Sequence, residues 1–326
     1  MLNLIEKLTN TFGVSGNEEN IREIIKEEIK DYVDEIREDA LGNLIAVKKG
    51  NGKKILLSAH MDEIGIMVTH IEDNGFLRFA MVGGVDFKVE LSNRVRFKNG
   101  TVGVVYFEEK VNDNKDISFS RCFIDIGANN REDAKKVVNV GDVACFMGDM
   151  VVQNNKIISK TLDDRLGVAV LIEIMKKNVK TDNEIYYVFS VQEEVGARGA
   201  KVAAYDIYPD LAIAVDVTDT GDMLNDNNME VSLGKGVAIK VKDRTLIANP
   251  KAKELLIETA KKNNIPYQLE ILECGGTDAG TMHLARGGIV TGAVSIPTRY
   301  IHTISEMADI GDIENTIDLL ANMIKG

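Results

Sequence analysis

Leu2, Ile5, Leu8 and Phe12 recur at helical spacing from the start of the chain, and the pattern breaks at Gly13-Val14-Ser15-Gly16. Asn17 then offers a cap to a second helix whose apolar face is Ile21, Ile24, Ile25 and Ile29. Gly42-Asn43 joins two short strand patterns, and residues 54–57 read as a buried strand that ends at His60. Between 66 and 158 short β-rich runs such as Arg94–Phe97 and Val102–Phe107 alternate with Gly, Asn and Asp turns, and only 130–138 has a helical pattern. Beyond residue 160 the period switches back and forth: helices are predicted at 163–177, 250–264 and 310–324, apolar strands at 185–191, 211–216 and 289–295. This alternation predicts one α/β domain, built from 1–65 and 159–326 and interrupted by a small β-rich insert at 66–158. No repeat or low-complexity tract breaks the chain, and with only four prolines no Pro/Ser-rich linker separates the two parts.

Composition narrows the chemistry. A chain of 326 residues, 44% hydrophobic and 28% charged, fits an ordinary soluble globular protein with a sizeable core. The formal net charge of -12 disfavours nucleic acid and acidic membrane surfaces as partners. No apolar run approaches the length of a membrane helix, and the start MLNLIEKLTN lacks the apolar core of a signal peptide. Cys122, Cys145 and Cys274 are widely spaced, as reduced thiols in the cytoplasm would be. Any imidazole chemistry must draw on four histidines, His60, His70, His283 and His302.

Five acid- and histidine-bearing segments follow predicted strands or open a helix. His60 and Asp62 emerge together after the strand at 54–57, so that the carboxylate can stand beside the imidazole. Asp163 and Asp164 open the helix at 163–177, where acids also serve as ordinary caps. Glu193 and Glu194 directly follow an apolar strand, Asp216 ends another, and His302 follows a third. If these strands are parallel, the groups converge on one sheet edge, where ligands bind in open α/β sheets. Two imidazoles among several carboxylates suit two divalent ions sharing one bridging carboxylate, and such acids buried without cations would be costly. No GxSxG elbow, GxGxxG or P-loop pattern occurs. A glycosidase would ordinarily use two carboxylates without accompanying histidines.

The ordered segments HMDEIG (60–65), LDDR (162–165), EEVGARGA (193–200), DVT (216–218), GGTDAG (275–280) and PTRYIHT (297–303) resemble the tetrahedral, or glutamyl, aminopeptidases, some of which are labelled endoglucanases. The likeness runs over nearly the whole chain. It implies a zinc-peptidase-like mixed central sheet flanked by helices, and two divalent ions, zinc or cobalt. It further implies that Asp163 bridges the ions, that His60 and Asp216 complete one site, and that Glu194 and His302 complete the other. Glu193 would be the general base, Asp62 would orient His60, and Asp278 would contact the peptide substrate. The insert would dimerise the chain, and dimers would build a tetrahedral dodecamer. Val237 and Ala197 stand where the family often has proline and leucine, and the 107–118 stretch is untypical.

Overall fold

The computed structural model describes residues 1–108, 118–224 and 229–326, so most of the untypical 107–118 stretch lies outside the described residues. The opening helical period gives α1 (Leu2–Asn10), which buries Leu4, Ile5 and Leu8, and α2 (Glu19–Ile29), which buries Ile21, Ile25 and Ile29. The cap position of α2 is Glu18 rather than Asn17, and no side chain caps it. Asn17 is spent one residue earlier: its N–H donates to Val14 O at 2.7 Å and closes a turn through Gly16 at φ +82°.

Glu18 is buried, and its Oε1 accepts the Gly16 N–H at 2.7 Å. Burial drives its carboxyl up, against the Gly16 bond and with help from the Asp62 charge, to about 7. The native chain therefore holds this proton more tightly than the unfolded chain, so stability falls as pH rises between about 4.5 and about 7. Glu18→Gln keeps the acceptor and deletes the buried charge. Denaturant unfolding at pH 8 is expected to show it more stable than wild type by about 1–3 kcal/mol, with almost no difference at pH 4.5.

Three strands follow: β1 (Glu35–Glu38), β2 (Leu44–Lys48) and β3 (Lys54–His60). The chain then enters a barrel of β4 (Gly65–Ile71), β5 (Leu77–Val82), β6 (Arg94–Phe97), β7 (Val102–Phe107), β8 (Cys122–Asp125) and β9 (Val143–Phe146), closed in the order β4-β5-β8-β7-β6-β9. Ile66, Val68, Leu77, Val95, Val105 and Ile124 fill it. The helical pattern at 130–138 gives a short α3 (Arg131–Lys135), with Asn130 capping the Asp133 N–H at 3.0 Å. After the barrel come β10 (Val151–Gln153) and β11 (Lys156–Ser159), then α4 (Leu162–Lys176), β12 (Glu184–Ser190), α5 (Arg198–Ile207), β13 (Leu211–Thr218), β14 (Val237–Lys242), α6 (Pro250–Lys262), β15 (Tyr267–Ile271), α7 (Ala279–Met282), β16 (Thr291–Arg299), β17 (Glu306–Asp309) and α8 (Ile310–Lys325).

Among the described residues the large sheet has eleven strands in the order β1-β2-β12-β3-β13-β16-β17-β11-β10, with β14 paired to β16 and β15 to β14. Its centre, β12, β3, β13 and β16, is parallel throughout, while β2, β14 and β17 pair antiparallel to this centre. All eight residues of β13 are buried, as a central parallel strand covered on both faces must be. The larger core layer packs α1, α2, α4, α6 and α8 on one face, and α5 and α7 cover the other. The β10–β11 hairpin, within the span read as insert, belongs to this sheet: β11 pairs with β17, and Ile157 is buried in the main core. The barrel's own strands therefore end at Phe146.

Candidate metal centre and active-site cleft

Because β12, β3, β13 and β16 run parallel, their carboxyl ends share one edge, and His60, the Glu193-Glu194 turn and Asp216 meet there. Asp163 joins them from the start of α4. Its φ -76° and ψ 112° lie outside the helix, and Asp164 is the capping acid: its Oδ1 accepts the Gly167 N–H at 2.9 Å and its Oδ2 the His60 N–H at 3.1 Å. Asp163 is thereby left to the site. His60 Nε2 lies 2.9 Å from Asp163 Oδ1, and His302 Nε2 lies 3.3 Å from Asp163 Oδ2 and 3.2 Å from Glu194 Oε2. Asp216 Oδ1 stands 3.9 Å from His60 Nε2.

Both imidazoles are held by their other nitrogen. His60 Nδ1 lies 3.2 Å from Asp62 O, and His302 Nδ1 lies 3.0 Å from Gly84 O in the segment after β5. A carbonyl oxygen only accepts, so each Nδ1 carries the proton, and each Nε2 faces Asp163. A Cβ at Gly84 would come within 2.7 Å of His302 Nδ1, so any side chain there would push the imidazole from its place. Asp62 does more than stand beside His60, from whose Nδ1 its Oδ1 is 3.5 Å away. It accepts from Ser15 Oγ at 2.6 Å and from the Glu193 and Glu194 N–H groups at 3.0 and 3.2 Å, and so fixes the turn that presents both glutamates.

Burial works against ionisation of Asp163, but the bonds from His302 and His60 outweigh it and hold this carboxyl below the usual carboxylate range. Burial likewise works against protonated imidazoles, yet the contacts to Asp163 and Glu194 push His302 up to about 12, and those to Asp163 and Asp62 raise His60. Asp216, Glu193 and Glu194 are all pushed up, first by burial and then by neighbouring acids. Such a cluster is electrostatically short of positive charge. Among the described residues, His60, Asp163 and Asp216 bring their ligand atoms within 4.8 Å of one another, and so do Asp163, Glu194 and His302. The two groups share Asp163. Their all-nitrogen-and-oxygen donor set fits borderline or hard divalent cations.

The groups line a cleft of about 700 Å³ together with Gly196, Ala197, Arg244, Thr245 and the Gly275–Thr277 turn. Glu193 faces into it. Asp278, expected to contact substrate, is buried and is not among the residues that line the cleft. The Ser58 and Ser190 hydroxyls donate to its Oδ2 at 2.5 and 2.6 Å, and Thr277, Gly280 and Thr281 line the cleft nearby. His70 is exposed on the barrel near Glu72, and His283 Nδ1 bonds Ala279 O, so neither of these two histidines enters the site. The pattern of the chain does not single out Gly84, Ser15, Ser58 or Ser190, and it misses Glu306, whose carboxylate accepts the Asp163 and His302 N–H groups. Glu306 stands in a mixed run, Thr303-Ile304-Ser305-Glu306-Met307-Ala308-Asp309, that gives it no contrast with its neighbours.

A mixed sheet that gathers imidazoles and carboxylates at the carboxyl ends of its parallel strands, lining an open cleft, is the framework of a hydrolase. The model for the M42 glutamyl aminopeptidase family matches residues 42–319, and the chain belongs to that family. It is an aminopeptidase, an enzyme that hydrolyses peptide bonds. A protein of Acetivibrio thermocellus named "Putative aminopeptidase" is 60% identical over 99% of this chain and 98% of its own. The solved aminopeptidase of the archaeon Desulfurococcus kamchatkensis superposes with a TM-score of 0.96 at 39% identity, covering 99% of this chain and 94% of that one. The TET1 peptidase of Pyrococcus horikoshii, described as assembling into a tetrahedron or a large octahedral shell, gives 0.89 at 34% identity over 99% and 98%.

Proposed function

We propose that this aminopeptidase trims amino-terminal residues from peptides with two divalent ions, zinc or cobalt, and with Glu193 as general base. The observation that carries the reading is Asp163, whose two oxygens face different imidazoles at 2.9 and 3.3 Å, the arrangement a bridging ligand needs. His60 and Asp216 would hold one ion and Glu194 and His302 the other, with Asp163 between them. Bound divalent ions supply Lewis acidity toward both water and the scissile carbonyl.

The chain's own groups do the rest. Glu193, whose carboxyl burial pushes up from the usual carboxylate range, takes a proton from the attacking water and returns it to the departing amine. Asp62 keeps the Glu193 carboxylate in place by holding its backbone N–H. A free amino terminus can settle against the acids of the cleft, which supports cleavage from that end. The barrel, present here as in relatives that form closed shells, supports a role in dimers and a tetrahedral dodecamer. Cys122, Cys145 and Cys274 are free thiols, which supports a reducing compartment, the cytoplasm.

Chelation followed by stepwise return of zinc or cobalt tests the reading. Hydrolysis of free-amino peptides is expected to vanish, to return as two ions per chain are restored, and to be absent with N-acetylated peptides. Full activity in the metal-free protein would overturn it.

A further inference from the structure

Glu306 opens β17 with its carboxylate buried between the two segments that carry Asp163 and His302. Its Oε2 accepts the Asp163 N–H at 3.0 Å and its Oε1 accepts the His302 N–H at 2.8 Å, so one side chain ties both backbones. The sheet fixes where that carboxylate stands: Glu306 pairs with Ser159 of β11, and Met307 and Ala308 pair with β16. The two tied segments have no ladder of their own. Thr161 is at φ +60°, Asp163 lies outside the helical region, and Tyr300 and His302 are at φ +60° and +63°. On the opposite side of the site the sheet itself does this work, since His60 ends β3 and Asp216 lies within β13, both bonded to parallel neighbours. Glu194, the remaining member of the group around His302, has its N–H held by Asp62.

We infer that Glu306 is a positioning residue which sets the donor geometry of the Asp163, Glu194 and His302 group and leaves the His60 and Asp216 side to the sheet. The inference rests on the two-ion reading above. Both oxygens of Glu306 must accept, so a carboxylate is required: an amide accepts through one oxygen and turns its own N–H toward the other donor. Freed of that tie, the His302 segment loses its fixed separation from Asp163. The ion held there is then bound by donors that must be ordered at the moment of binding, whereas its neighbour still meets His60 and Asp216 on the same rigid strands and is touched only through the shared Asp163.

Full-length wild type and Glu306→Gln, stripped of metal and titrated calorimetrically with zinc or cobalt, test this. The wild type is expected to take two ions per chain. The variant is expected to bind one within roughly a few-fold of the wild-type affinity and the other about 10–100-fold more weakly. Excess metal should then recover much of its kcat, and the visible spectrum of the cobalt form should change only on adding the second equivalent. Glu306→Asp, which keeps two accepting oxygens on a shorter stem, should fall between them. An unchanged titration of the Gln variant beside a two-ion wild type overturns the inference alone. Equal weakening of both sites in both variants overturns it too, because that would mark Glu306 as a general element of the fold. A wild type that binds fewer than two ions overturns the two-ion reading and this inference with it.

Discussion

Glu193→Gln is expected to lower kcat by about 10²–10⁴-fold while leaving KM for short peptides and the bound metal nearly unchanged. The substitution is close to isosteric and deletes only the ability to take and return a proton. The groups around it have little reason to move. Asp62 holds residue 193 through its backbone N–H, which glutamine retains, and Glu193 belongs to neither of the two ligand groups. The effect should therefore sit in kcat rather than in affinity, which separates a proton-transfer role from a ligand role. Metal analysis beside steady-state kinetics on a free-amino peptide reads both quantities. A variant with wild-type kcat would remove Glu193 from the reaction, and one that lost its metal would make it a ligand. Burial, and after it the charges of Asp216, Asp278 and Glu194, raise its carboxyl, with His60 opposing, a direction that suits the proposed proton transfer.

The parts of this site that the bare chain discloses are those delivered by buried strands. β3, β12 and β13 are apolar runs because they are covered on both faces, and a histidine or acid that terminates such a run stands out against it. His60, Glu193, Glu194 and Asp216 are legible for that reason. Asp163 was less so. Two acids at a helix start look alike in sequence, and only the backbone shows that Asp164 caps α4 while Asp163, at ψ 112°, is turned into the site. The contacts of Asp278 are not legible in the chain: it sits in a glycine-rich turn beside the cleft, and its carboxylate accepts the Ser58 and Ser190 hydroxyls. α5 is not among the predicted helices; its buried face is Gly199, Ala200, Ala203, Ala204 and Ile207, mostly small residues. Gly199 meets Asn43 and Val191 so closely that a Cβ would lie 2.2 Å from Asn43 Oδ1. The groups that fix the donors, Gly84, Ser15 and Glu306, come from a loop beyond β5, the turn before α2 and a strand near the end of the chain. No spacing within one segment could have joined them.

Asp163→Ala is expected to have the most far-reaching effect on the metal, since it alone takes a donor from both groups at once. His60→Ala or His302→Ala deletes one donor from one group and should leave the other group able to bind. Without Asp163 each group keeps two protein donors, His60 with Asp216 and Glu194 with His302, too few to define a site for a divalent ion. The variant should bind neither ion tightly, and its activity should fall by about 10³-fold or more, the equivalent of several kcal/mol of lost stabilisation at the reacting centre. The imidazoles explain why added metal should not rescue it. With Nδ1 of each fixed on a carbonyl, neither ring can turn to supply a second nitrogen, and the two Nε2 atoms are left facing a gap. Calorimetric titration of the three variants side by side separates the cases. One ion retained by each histidine variant and none by the Asp163 variant is the pattern of a shared bridging carboxylate. Two ions bound by Asp163→Ala would mean that the groups are independent and that the bridge does not exist.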